Sequence, residues 1–195
     1  MKNRKEQILE KALELFLKRG YSGVSISILQ EELGIGRATM YYYFKDKEQL
    51  FRTIVERYYI EPLQSSVAGQ DDILLSGLIE MRQKMHREST SFFEAYHNAQ
   101  ITAYNLQSIL FLATIKFPDL GHTIGELKKQ ETRLWKRAIK NSVDRGEIKP
   151  DIDVENLALA FSGLKEMSEF SVFVKVEYGD RYIGAMSYLY DLVRL

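Results

Sequence analysis

Two short apolar-periodic segments meet at Gly34-Ile35-Gly36, and no other feature of this 195-residue chain constrains its fold as tightly. The stretch runs from Ser25 to Leu50, SISILQEELGIGRATMYYYFKDKEQL. A glycine closing one helix can take the left-handed conformation and turn the chain sharply into the next. After it comes a run that is polar and aromatic, then Asp46, a good N-cap for a further helix with Glu48 in its first turn. This is the layout of a helix-turn-helix, whose second helix enters the major groove of duplex DNA.

The remainder is helical in period. A first helix is expected over residues 3–19, where Ile8, Leu9, Ala12, Leu13, Leu15 and Phe16 form one apolar face and Gly20 ends it. The second is expected to start near Ser27, with Gln30 completing a capping box. The third spans about 37–44, and the fourth runs from Lys47 to about Tyr59, before Pro62. Further helices are expected over 71–88, within 92–116 with a break at 117–121, and over 122–145, 153–176 and 180–194. The β-rich run at 171–178 ends a helical pattern and reads as helix. The expected fold class is all-α with nine to ten helices: a three-helix helix-turn-helix domain over 1–50, then a helical ligand-binding and dimerisation domain over 51–195.

A helix that reads bases and phosphates cannot be apolar on its outward face. Arg37, Ala38, Thr39, Tyr41, Tyr42 and Tyr43 suit that face, while Met40 and Phe44, four apart, point inward. Three consecutive tyrosines project in three directions, so one core cannot absorb them all. Arg37 can bond a guanine edge or a phosphate. The hydroxyls of Thr39, Tyr42 and Tyr43 can bond phosphates, with Tyr41 doing likewise or packing in part. Gly36 permits close backbone approach to a phosphate. Lys47 can pair with a phosphate, and Ser25 and Ser27 offer hydroxyls and helix-end amides. The charge balance agrees: residues 1–60 hold 11 of the 27 Lys/Arg and 8 of the 27 Asp/Glu. This end is thus slightly basic and the remainder slightly acidic.

The segment GIGRATMYYYFKDKEQLF resembles the signature of TetR-type transcriptional regulators. Gly34, Ile35, Thr39, Met40, Tyr41, Tyr43, Phe44, Lys47, Glu48 and Leu50 fall on its positions. In LELFLKRGYSGVSI, Phe16, Gly20, Tyr21 and Ser25 match the family's first helix and turn, so the resemblance covers about residues 5–55. Gly36 departs from the usual Ser or Thr cap, and Gln30 from a usual small residue. The resemblance implies a homodimer that binds a palindromic operator on double-stranded DNA. Most such proteins repress, and release DNA when a small molecule enters the C-terminal domain.

Two features of the later sequence add to this. The last two helices carry apolar residues around most of their circumference, so they need a second partner. Leu157, Phe161, Leu164, Ser168, Met186, Leu189 and Leu192 are the candidate dimer interface, a four-helix bundle across a twofold axis. Residues 81–135 combine aromatics, methionines and polar tips in the manner of a ligand pocket. Met81, Met85, His86, Phe93, Tyr96, His97, Tyr104, Phe111 and Trp135 are its candidate lining, although such a stripe is more often plain core. A flat apolar or cationic ligand suits this composition.

No metal or cofactor is expected. The chain has no cysteine, and His86 and His97 lack the spacing and third ligand of a zinc site. His122 reads as a helix-start residue. Gly34-Ile35-Gly36 follows no strand and is no dinucleotide fingerprint. Nothing resembles a nucleophile elbow. The charged N-terminus lacks a signal-peptide core and no apolar run approaches the ~18 residues of a membrane span, so a cytoplasmic location is expected. The competing readings are a helical ligand-binding protein or enzyme and a non-specific architectural DNA-binding protein. The latter would ordinarily be more basic than this net-neutral chain.

Overall fold

Helix α1, Arg4–Arg19, buries Leu15, Phe16 and Leu17 in succession as well as Ile8, Leu9, Ala12 and Leu13. Three consecutive residues cannot share one helix face. The additional burial arises because α1 packs against α4 on one side and α7 on another. The computed structural model describes residues 3–94, 103–171 and 181–195, with side chains throughout except at 89–94, 103–107, 165 and 167–171. The described residues form ten α-helical segments and no strand, so the all-α expectation holds.

The remaining helices are α2 Ile26–Leu33, α3 Arg37–Tyr43, α4 Lys47–Val55, α5 Glu61–Val67, α6 Leu75–Glu94, α7 Ala103–Lys116, α8 Pro118–Asp144, α9 Val154–Ser171 and α10 Arg181–Val193. They form two compact units. One contains the described residues of Met1–Ser65 and Phe93–Ile124, the other Ser66–Phe92 and Gly125–Leu195. The later part of the 171–178 run lies outside the described residues, with Ser171 the last residue of α9.

Several helix boundaries differ from expectation, each for a local reason. Helix α2 starts one residue earlier than Ser27: Ser25 is the N-cap, accepting from Ile28 N–H at 3.2 Å. Gln30 is therefore no capping partner, and its side-chain amide nitrogen is buried without a hydrogen bond. At the other end Gly34 takes φ 61°, and its N–H bonds back to Gln30 and Glu31 carbonyls. The helical path that begins with α4 does not stop before Pro62. It passes through a π-turn, Glu56–Ile60, in which Glu61 N–H reaches back five residues to the Glu56 carbonyl. The ladder is already rearranged there, so the N–H that Pro62 lacks falls at a junction rather than mid-helix.

The 117–121 break shrinks to Phe117 alone. Pro118 opens α8 at the first helical position, where a missing N–H costs nothing. Gly121 then lies inside α8, and His122 is in the helix rather than at its start. A Cβ on Gly121 would come within 3.1 Å of the Thr114 carbonyl oxygen, so glycine is what lets α7 and α8 meet at so tight a corner.

The first unit is centred on a ring cluster. Phe51 lies edge-on to Phe16 at 5.3 Å and to Tyr21 at 4.8 Å, and 5.7 Å from Phe117. The second unit packs α6, α8, α9 and α10 around Leu78, Trp135, Ala138, Ile139, Phe161 and Met186. Trp135 and Phe161 stack at 4.8 Å. Beside them Glu147 accepts from the Ser142 hydroxyl, from Ser76 N–H at 3.3 Å and from the Tyr190 hydroxyl at 3.0 Å. Ser142 in turn accepts from Leu75 N–H at 2.7 Å. Ile148 and Arg194 form an antiparallel bridge that ties down the C-terminal residues.

Candidate nucleic-acid interface

The three helices that could meet DNA are held from below. Met40 and Phe44, the inward residues of α3, are fully buried, and α3 packs on α2. Asp46 caps α4 by accepting from Gln49 N–H at 2.8 Å, and Gln49 Oε1 accepts from Lys45 N–H at 2.7 Å. That reciprocal pair fixes the path of the chain out of α3. Arg19 and Lys11 of α1 pair with Glu32 at 3.1 Å each, bracing α1 against α2.

On this base α3 presents an outward face of the expected residues. Tyr42 is 82% exposed and Tyr41 45% exposed, both unusual for large rings with nothing to hide them. The Arg37 guanidinium lies 5.4 Å from the centre of the Tyr41 ring, and Tyr42 meets Tyr43 edge-on at 4.9 Å. Arg37, Ala38 and Tyr41 line a shallow open depression. Thr39 and Tyr43 are half-buried. The arrangement offers a cation, three phenol hydroxyls and one threonine hydroxyl to a polyanion.

Gly36, the N-cap of α3, has φ −72° and makes no side-chain cap. That φ suits any residue, and a Cβ would meet nothing within 4 Å. Nothing in the local backbone therefore requires glycine. Ser25 spends its hydroxyl on the α2 cap, while Ser27 is exposed on the first turn.

Lys47 is placed differently from the sequence expectation of a phosphate contact. Its Nζ donates to the Tyr21 carbonyl at 3.0 Å and the Val24 carbonyl at 2.9 Å, and lies 4.1 Å from the Tyr21 ring centre. Burial first, and then the nearby Lys116, lower its pKa. In this geometry Lys47 pins the α1–α2 turn. Its near neighbour Lys45 is exposed just after α3 and supplies a cation that the motif did not single out.

The other predicted site residues divide between the units. Met81, Met85 and His86 lie half-buried on α6, His86 edge-on to Tyr182 at 4.9 Å. Trp135 is fully buried in the stack with Phe161, as core. Phe111 belongs to the first unit and is 62% exposed on α7. Tyr96 and His97, and the side chains of Phe93, Tyr104 and Ser168, lie outside the described residues. Of the candidate interface residues, Phe161 and Met186 are buried within their own unit, because Trp135 and the α6–α8 core already cover that face. Leu157, Leu164 and Leu189 are half-buried against the same core. Among the described side chains of α9 and α10, the large apolar residues turned outward are Leu159, Tyr188 and Leu192, with Leu195 beyond them.

Among the described residues no group of His, Cys, Asp and Glu could hold a metal ion, and no helix is long and apolar enough to cross a membrane. The buried three-helix base with its exposed basic and aromatic face defines a helix-turn-helix DNA-binding protein. Residues 8–54 match the model of the bacterial regulatory proteins of the tetR family. Over 160 residues the chain is 28% identical to the HTH-type transcriptional repressor ComR of Escherichia coli, covering 79% of this chain and 72% of that protein. A TetR-family regulator from Cytophaga hutchinsonii superposes with a TM-score of 0.65 at 17% identity, over 98% of this chain and 94% of that one. A transcriptional regulator from Saccharomonospora viridis, solved in complex with choline, gives 0.67 at 18% identity over 98% and 97%. The N-terminal region of the chain carries a tetR-family DNA-binding domain, and over most of its length the chain is similar to HTH-type transcriptional repressors and shares the fold of TetR-family regulators.

Proposed function

We propose that this regulator is a cytoplasmic repressor that binds a palindromic operator as a homodimer and leaves it when a small molecule occupies the second unit. In functional terms residues 1–50 are the DNA-binding domain, and residues 51–195 carry the ligand and dimer functions. The observation that carries the reading is the exposed Arg37–Tyr41–Tyr42 face of α3, set on a buried core. A dimer is supported by Leu159, 64% exposed on α9, and by Tyr188 and Leu192, 64% and 51% exposed on α10. Large apolar side chains so exposed on consecutive helices fit a surface that another copy covers. That the ComR relative is named a repressor supports the sign of regulation. The choline held by the Saccharomonospora viridis regulator supports a small-molecule effector.

Two recognition helices must sit one turn of duplex apart, about 34–36 Å, to read both half-sites. An effector releases DNA by favouring a different spacing, and does so only to the extent that it binds that state more tightly. Selection from random duplexes tests the reading. A palindromic consensus with half-sites one turn apart supports it, whereas uniform binding would identify a non-specific architectural protein. Leu192→Asp should yield a folded monomer with weak operator binding. An unchanged dimer in sedimentation would remove Leu192 from the interface.

A further inference from the structure

The second unit holds a charged group that DNA reading does not use. Arg82, on α6, is 4% exposed. A guanidinium carries five N–H donors in one plane. Of these, Nη1 donates to Met85 Sδ at 3.3 Å, a weak acceptor. Nε and Nη2 are buried with no hydrogen-bond partner. Glu131 of α8, equally buried, brings Oε1 to 3.5 Å from Nε. That exceeds the usual N–H···O range of about 2.7–3.2 Å. Glu131 thus balances the charge of Arg82 without satisfying its donors. Burial lowers the Arg82 pKa, opposed by Glu131 and then by Tyr182.

Nε and Nη2 share one edge of the guanidinium, the edge with which arginine grips oxygen acceptors. Leu78, Ile79 and Met81, the neighbours of Arg82 along α6, and Tyr182 of α10 belong to one packed apolar cluster. Two bare donors in such a place lower stability, and an apolar residue there would avoid the loss. We propose that Arg82 anchors the effector, a small, apolar, uncharged molecule that presents a carbonyl oxygen to the Nε–Nη2 edge. This assignment rests on the effector-released regulator reading and names the effector's class. The charge balance decides against the alternatives. A carboxylate would set a second anion beside the buried Glu131 in an apolar setting. An ammonium would set a second cation against the Arg82 guanidinium, whose Nε–Nη2 edge offers it only N–H donors. A cationic ligand, which the composition alone allowed, is therefore disfavoured at this site.

The test uses the full chain with three eight-carbon probes: 2-octanone, octanoate and octylammonium. Binding is followed by saturation-transfer NMR and by the shift in thermal unfolding. Wild-type protein should bind 2-octanone at least tenfold more tightly than either ion. Arg82→Lys keeps a cation facing Glu131 but lacks the two-donor edge, and should weaken 2-octanone at least tenfold. If that variant does not fold, Arg82→Met combined with Glu131→Leu replaces it. Equal affinity for 2-octanone in wild type and variant, preference for either ion, or no binding of 2-octanone to wild type would each overturn the proposal. A merely structural Arg82 would change the melting temperature and leave probe affinity untouched. Operator selection on the same preparations separates the two readings. A palindromic consensus alongside failed probes rejects only the effector assignment, while no enrichment rejects the regulator reading itself.

Discussion

Glu147 and Arg82 are both charged side chains turned into the second unit, and their surroundings differ in kind. Glu147 accepts two hydroxyls and one backbone N–H, and so fastens α6, α8 and α10 at one point. Arg82 has an ion-pair neighbour and a thioether, and two of its nitrogens go unmet. A charge that is fully satisfied belongs to the architecture: removing it leaves its partners bare. A charge left with open donors adds little to the fold by itself. The first unit contains the same contrast in milder form. Lys47 is spent on two carbonyls of the α1–α2 turn, whereas Arg37 faces solvent across the Tyr41 ring.

The contrast is sharpest at the buried pair. Arg82→Met alone removes the ion-pair partner of the buried Glu131 and should cost about 3–5 kcal/mol. Adding Glu131→Leu should recover most of that loss in urea unfolding. A double variant as unstable as the single one would mean the pair is architectural after all. Next in size, Glu147→Ala should cost about 2 kcal/mol, since it deprives the Ser142 and Tyr190 hydroxyls and Ser76 N–H of their common acceptor. Wild-type stability in that variant would reduce Glu147 to a bystander.

Acidification provides a smaller and graded test. Burial raises the Glu147 pKa, but the hydrogen bonds from Ser142, Ser76 and Tyr190 outweigh it and hold the carboxyl below its ordinary value. A depressed folded-state pKa contributes stability that is complete above the unfolded value, about 4.3, and is lost as the pH falls through the folded one. Glu147→Gln should therefore flatten the acid limb of a stability profile below about pH 4.3. An unchanged limb would place the depression elsewhere. The smallest stability effect belongs to Tyr42. Being 82% exposed, Tyr42→Ala should change unfolding free energy by less than about 0.5 kcal/mol and yet weaken operator binding. Strong destabilisation with normal DNA affinity would reverse the assignment of α3's outer face.

Much of the DNA-reading end was legible because local chemistry writes it out. Gly34 ends α2 in the left-handed region, Asp46 caps α4, and Met40 and Phe44 fall inward at helical spacing. Each depends on residues within one or two turns, where sequence and geometry are nearly the same information. The bonds of Lys47 to the α1–α2 turn were not legible, because a lysine at a helix start has the same local signature whether it faces a phosphate or a carbonyl. Only the return of the α1–α2 turn decides which. Pro62 and Pro118 read as breaks for a similar reason: a missing N–H is harmless at a π-turn or a first helical position, and neither is visible in composition.

The second unit was less legible. Apolar residues around α9 and α10 announced two partners without saying which face met which. Phe161 and Met186 turned to their own core, while Leu159, Tyr188 and Leu192 were left outside. Arg82 carried no signal at all, being one arginine in an amphipathic helix. By itself the sequence determined the all-helical class, the helix-turn-helix and the outward face of α3, because periodicity and capping act over a few residues. The tertiary structure alone decided that Lys47 is occupied, that Phe161 is core and that Arg82 is buried beside Glu131 with donors to spare. Burial and pairing depend on residues far apart in the chain, here 49 positions from Arg82 to Glu131.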